Sequence, residues 1–150
     1  MTRRPRDIGT AAETAVVRHL QASGFPLAER RALHGAVDLG DVTGTPGLVW
    51  EVKGGEAAKT ASDGQIAAWL DETACERANA GAEHGFLIVQ RARKNVRDWW
   101  AVVDVATLAV LAAEVTPGPD LNRSPVRLVL DDLLTILRDA GWTDHKTNQS

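Results

Sequence analysis

Three side chains in two short segments have the types and spacing to do chemistry together. Asp38 closes Gly35-Ala36-Val37-Asp38. Glu51 and Lys53 follow in Trp50-Glu51-Val52-Lys53, with Glu51 13 residues after Asp38. On an extended strand, residues two apart project from the same face. Glu51 and Lys53 therefore point one way, and Leu48, Trp50 and Val52 the other. Two carboxylates and an ammonium on one face suit an oxygen-ligated divalent cation and a water activated against a phosphodiester.

Each residue also has a plainer role to weigh. Asp38 is placed to cap a turn, and Asp41 competes with it as a ligand. Glu51 and Lys53 could simply pair with each other. Against that, glutamate is disfavoured in strands, and the apolar neighbours of Glu51 mark a central strand covered on both faces. A buried carboxylate and a buried lysine need partners. A cation would serve Glu51, with the Val52 carbonyl as a further ligand. Partial desolvation beside a cation would depress the pKa of Lys53.

The elements that must position these groups are legible in outline. Residues 1–8 read as a flexible arm. Thr10 opens a helix running to Ser23 and ended by Gly24, with Ala12, Val16, Val17 and Leu20 on its apolar stripe. Phe25–Ala32 reads as a strand, Val37–Leu39 as a short strand, residues 44–47 as a turn, and Leu48–Lys53 as the clearest strand. Ser62–Ala80 has helical spacing at Ile66, Trp69, Leu70, Thr73 and Ala74. Phe86–Val89 and Trp99–Val103 read as strands and Ala106–Glu114 as a short helix. Val126–Leu130 reads as either a strand or a helix start, before a helix over Asp131–Ala140. Residues 143–150 read as a flexible tail. The order predicts an α/β domain with a mixed central sheet flanked by helices.

Composition bounds the alternatives. A chain of 150 residues, 44% of them apolar, makes one domain with a proper core. No apolar run is long enough to span a bilayer, and the basic start leads into no signal-peptide core. A cytoplasmic protein with no membrane partner is expected. Cys75 has no disulfide partner and reads as a small packing residue. The net charge of -3 argues against a nucleic-acid partner until its distribution is read: residues 1–34 hold six basic and three acidic residues, and Arg91, Arg93, Lys94 and Arg97 cluster again.

Further candidates surround the central three. Glu13 lies three, four and seven residues before Val16, Val17 and Leu20, which puts a carboxylate on the core-facing stripe. Thr10-x-x-Glu13 is equally a capping box, and so is Ser62-x-x-Gln65. Arg91, Arg93 and Lys94 follow the Phe86–Val89 strand as candidates for phosphate contacts, and Lys59 lies in the loop before the long helix. His34 and His84 read as solvated loop residues. Trp99 and Trp100 read as core and rim of a strand.

Taken together, the Gly9–Leu20 helix with Glu13, then Gly35–Asp38, then Glu51-Val52-Lys53 resembles the PD-(D/E)XK nuclease superfamily. Val37 stands where the name-giving proline would be. Trp69-Leu70-Asp71-Glu72, Ala78-Asn79-Ala80-Gly81-Ala82 and the Gly85–Arg91 strand resemble the Holliday junction resolvase-like nucleases of actinobacteria and their phages. The resemblance covers residues 9–110 and is strongest over 35–104. It implies a restriction-endonuclease-like αβββαβ core and Mg²⁺ (or Mn²⁺) held by Asp38, Glu51 and Glu13. It also implies that Lys53 orients or deprotonates the attacking water, and that Gln65 positions DNA or water. The implied activity is hydrolysis of branched DNA, with a four-way junction as substrate and a C₂ homodimer as the acting species; the alternatives are a repair or restriction-like nuclease on other DNA and a catalytically inactive DNA-binding or assembly module on the same fold.

Overall fold

The computed structural model describes residues 5–32, 37–116 and 118–143. Eleven regular elements and one 3-10 turn follow one another along the described residues. They are α1 (Pro5–Ala22), β1 (Glu29–Arg30), β2 (Val42–Thr43), β3 (Leu48–Lys53), α2 (Glu56–Lys59), α3 (Asp63–Ala80), β4 (His84–Val89), a 3-10 turn (Val96–Asp98), β5 (Trp100–Asp104), α4 (Val105–Ala113), β6 (Pro125–Val129) and α5 (Leu130–Asp139). The main sheet has the order β3-β4-β5-β6. Its β3–β4 pair is parallel and the other two pairs are antiparallel. A parallel neighbour requires a crossover, and α2 with α3 supply it. The result is the expected α/β architecture with a mixed sheet and flanking helices. Among the described residues no helix is long and apolar enough to cross a membrane.

The pleat divides the core in two. Trp50, Val52, Phe86, Ile88, Ala101 and Val103 pack with α1 and α5 on one face. The α5 contribution is Leu130, Leu133, Leu134 and Leu137, the i, i+3, i+4, i+7 stripe of an amphipathic helix. On the other face Leu87, Val89 and Val102 meet Ile66, Trp69 and Leu70 of α3. Glu51 is in register with Leu87, so Glu51 and Lys53 face α3.

The region before β3 departs from expectation. The Phe25–Ala32 strand shrinks to Glu29–Arg30, and Val37–Leu39 forms no strand. The partner of β1 is Val42–Thr43, further along the chain. These four residues make a separate antiparallel pair instead of joining the main sheet. They are tied to it through Asp41. Its N–H donates to the Trp50 carbonyl at 2.8 Å, and its Oδ2 accepts the Val52 N–H at 2.8 Å. The exposed edge of β3, a row of unpaired backbone groups in a bare sheet, is thus closed by one aspartate.

Other boundaries also moved. The helix α1 begins at Pro5, so residues 5–8 of the expected arm are helical. Thr10 and Glu13 lie inside the helix and form no capping box. Proline fits the first turn because its missing N–H has no helical acceptor there. The short α2 was not expected, although Glu-Ala-Ala-Lys is a good helix former. Residues 126–129 are strand, and α5 begins at Leu130. Cys75 and Ala74 are exposed on the outer side of α3, so neither is a packing residue. His84 opens β4 half-buried against Phe86 and Trp142. Trp99 is core and Trp100 half-buried, as expected. Thr143, assigned to the tail, is buried. Gly35, His34, residues 1–4 and residues 144–150 lie outside the described residues.

Candidate metal centre

Three carboxylates converge between β3, α3 and the loop before β2. Ligand oxygens of Asp38, Glu51 and Glu76 all lie within 4.8 Å of one another. Each arrives from a different element. Glu51 stands on β3 with its backbone fixed by the parallel ladder to β4. Glu76 projects from the buried side of α3, in line with Ile66 and Thr73. Asp38 sits on the loop, where its Oδ1 accepts the Gly40 N–H at 3.0 Å and its carbonyl accepts a hydrogen bond from Asn79 Nδ2 at 3.2 Å. The turn role weighed for Asp38 and its convergence with Glu51 thus coexist. Gly40 has φ +90°, and a Cβ there would stand 2.9 Å from Val49 Cγ1. Only glycine lets the loop pass this close over β3.

Lys53 completes the cluster. Its Nζ lies 3.2 Å from Glu51 Oε1, 3.5 Å from Glu72 Oε2 and 5.6 Å from the Trp69 ring centroid. Burial pulls the lysine pKa down, but the charge and hydrogen bond of Glu51, then those of Glu72, outweigh it and leave the pKa raised. Without a cation, and with two carboxylates beside it, Lys53 is held as an ammonium; the depression expected beside a bound cation belongs to the loaded site.

The carboxylates are in surplus over that single ammonium. Glu51 Oε2 and Glu76 Oε2 are buried without a hydrogen-bond partner, and the two residues are only 7% and 3% exposed. An orphaned buried carboxylate oxygen is costly and is relieved by a proton or a cation. Burial, then the hydrogen bond and charge of Glu51, then Asp38, push the Glu76 carboxyl up to about 10. Asp41 is pushed up to about 7 by burial and by the charge of Glu51, with Glu13 adding to the effect, although the Val52 N–H opposes it. The donor set fits a hard divalent cation, which takes carboxylate oxygens. The three oxygens would draw closer together to reach one ion.

The other expected site residues are distributed around this cluster. The Glu13 carboxylate is outside the convergent group; its Oε2 receives Arg30 Nε at 3.0 Å, while its charge reaches Asp41. Gln65 is exposed near the start of α3, and its backbone N–H donates to the Ser62 cap. The cap is made by the Ser62 hydroxyl and needs only the Gln65 backbone, and the Gln65 side chain is not among the converging groups. Arg91 stacks on Trp100, with its guanidinium carbon 3.8 Å from the ring centroid, and donates to the Asp98 carbonyl. Arg93 and Lys94 are exposed beyond the end of β4, and Lys59 is exposed on α2, 3.7 Å from Glu56.

Glu76 was not singled out from the sequence. The signal was present: Ile66, Trp69, Thr73 and Glu76 follow helical spacing, so a carboxylate continues an apolar stripe. Comparison with protein-family models, curated proteins and solved structures gives no significant match.

Proposed function

We propose that this chain is a metal-dependent endonuclease of the PD-(D/E)XK type, built on a restriction-endonuclease-like core and cutting branched DNA. The observation that carries the reading is the convergence of Asp38, Glu51 and Glu76 beside Lys53, with two buried carboxylate oxygens lacking partners. In this reading α1, the β1–β2 pair, β3, α3 and β4 form the common core. Glu76 is the third ligand, where Glu13 was the expectation.

Asp38, Glu51 and Glu76 would hold Mg²⁺ or Mn²⁺. That ion supplies Lewis-acid stabilisation of phosphoryl charge and lowers the pKa of bound water. Lys53, fixed by Glu51 and Glu72, directs an N–H towards the attacking water or a phosphoryl oxygen and offsets the charge that develops there. Its contacts with Glu51 and Glu72 favour the role of donor and positioning group. Glu72 holds the ammonium at the cluster and stays outside the ligand set. A four-way junction needs two nicks related by symmetry, so a C₂ dimer is the acting species.

The test uses a synthetic four-way junction, a matched duplex and a flap, with Mg²⁺ or EDTA, and the variants Asp38→Asn, Lys53→Ala and Glu76→Gln. Paired symmetric nicks on the junction, dependent on Mg²⁺ and lost in all three variants, support the reading. Cation-independent binding without cleavage of any substrate overturns the enzyme assignment. Cleavage of duplex or flap with the junction intact overturns only the choice of substrate.

A further inference from the structure

A second group of convergent polar side chains lies across the same sheet face. A pocket of about 190 Å³ is lined by Lys59, Gln90, Arg91, Trp100 and Arg127, with Ile66 at its apolar wall. The strand register relates it to the carboxylates. Arg127 pairs with Val102, Val102 with Leu87, and Leu87 with Glu51, so all four share one row on the α3 face. At about 4.8 Å per strand, the Arg127 backbone stands about 14 Å from that of Glu51. In the next row Lys53, Val89 and Trp100 are paired in turn, which places Trp100 about 10 Å from Lys53.

The three cations are unequally committed. Arg91 is fixed by stacking on Trp100 and by one hydrogen bond to Asp98, which leaves most of its five N–H donors for another ligand. Arg127 lies 5.9 Å from the same ring and pairs with Asp63, whose side chain is 96% exposed. Lys59 pairs with Glu56, also largely exposed. Pairs with so exposed a partner are screened by water and salt and hold the cations weakly. An incoming dianion or phosphodiester would therefore displace Asp63 and Glu56. Gln90 also lines the pocket, with its Oε1 accepting the Gly55 N–H at 2.8 Å.

We propose that this pocket binds a non-scissile phosphate of the nucleic-acid strand engaged at the carboxylate cluster. The identity of that strand rests on the nuclease reading. A separation of about 10–14 Å puts the pocket within a few nucleotides of the carboxylate cluster along one strand. Trp100 holds both guanidiniums, Arg91 presents a fork, and Arg127 and Lys59 neutralise the phosphate. Asp63 acts as a built-in competitor for Arg127.

The test is oligonucleotide affinity in EDTA, by fluorescence anisotropy over a salt series. Arg127→Gln should bind about tenfold more weakly at about 50 mM salt. Its log–log salt dependence should flatten by about 0.7–0.9. Asp63→Asn should move affinity the other way, several-fold tighter, which a general loss of fold would not produce. Melting curves check that both variants fold. Wild-type affinity in both variants overturns the proposal. So does inorganic phosphate binding at the pocket in a protein whose oligonucleotide affinity ignores Arg127. The two readings fail separately. Weaker binding by Arg127→Gln without cleavage of any substrate leaves the pocket and removes the nuclease. Unchanged binding by folded variants that cut as wild type leaves the nuclease and removes the pocket.

Discussion

Replacing Glu76 by glutamine should stabilise the cation-free protein at neutral pH, the reverse of the usual result at a side chain only 3% exposed. The native fold raises the Glu76 carboxyl from 4.5 to about 10, through burial and through its contacts with Glu51 and Asp38. A raised acid binds its proton more tightly when folded. Its contribution to stability is therefore fully present below the unfolded value of 4.5 and is lost as pH rises from there towards 10. At pH 7 the unfolded chain gains by ionising this group over 2.5 pH units, and at ~1.36 kcal/mol per unit the wild-type protein loses up to ~3 kcal/mol. Glutamine carries no titrating proton and keeps an N–H donor towards Glu51 and Asp38. The variant should be more stable than wild type by up to ~3 kcal/mol at pH 7, but by under ~1 kcal/mol at pH 5. For a chain of this length that is roughly 6–12 °C in Tm at pH 7. The assay is thermal and urea unfolding in EDTA at both pH values, then with Mg²⁺ or Mn²⁺. The cation should raise wild-type stability through preferential binding to the native state and raise the variant little. A variant less stable than wild type in EDTA at pH 7, or an equal difference at pH 5 and 7, would refute the account of Glu76.

The remaining expectations concern the same edge of the sheet. Asp41→Asn keeps an acceptor for the Val52 N–H and removes a charge. Because Asp41 is raised from 3.8 to about 7, its contribution is complete below 3.8 and lost as pH climbs through 7. The variant should therefore gain over wild type above pH 7 and match it near pH 3–4 in pH-resolved urea unfolding. Mn²⁺ binding at pH 7 should release protons, chiefly from Glu76. Calorimetry in buffers of different ionisation enthalpy will show this as a buffer-dependent heat, and equal heats would contradict it. Trp50 is fully buried and its Nε1 donates to Thr45 Oγ1 at 3.0 Å. Thr45→Val should orphan that donor and lower unfolding stability by about 1–3 kcal/mol with the fold intact by circular dichroism.

The sequence was most legible where one side chain's environment is set by its own element. β3 is bounded as expected because Val49, Trp50 and Val52 lie between a glycine turn and two glycines. The placement of Glu51 and Lys53 against α3 follows from its pleat. The α5 helix was placed over Asp131–Ala140, and the structure adds Leu130 to it as the first of four buried leucines. Failure came where tertiary pairing overrides local preference. Phe25–Ala32 has strand character, yet only Glu29 and Arg30 find a partner, and that partner is Val42–Thr43, not Val37–Leu39. Asp41 was weighed only as a rival ligand. Its bond to the Val52 N–H, a contact across 11 residues, cannot be read from spacing. Glu76 was missed for a different reason. A glutamate in a long helix with exposed acidic neighbours Asp71 and Glu72 blends into a charged surface, and only its register with Ile66 and Thr73 marks it as inward.

These same misses explain how the cluster is assembled. Glu51 and Glu76 are carried by a strand and a helix packed on each other, so their separation is set by the sheet-to-helix spacing. Asp38 has no regular element to hold it. It depends on Asp41, three residues later, which is pinned to β3 through both its backbone and its side chain, and on Asn79, one turn beyond Glu76 on the same helix. The loop is thus tied to the two elements that carry the other carboxylates. Asp41 is both the pin and a second partly protonated acid beside Glu51. Loading the cluster with a cation would therefore change the charge on the group that holds the loop in place, which couples occupancy of the site to the closure of the β3 edge.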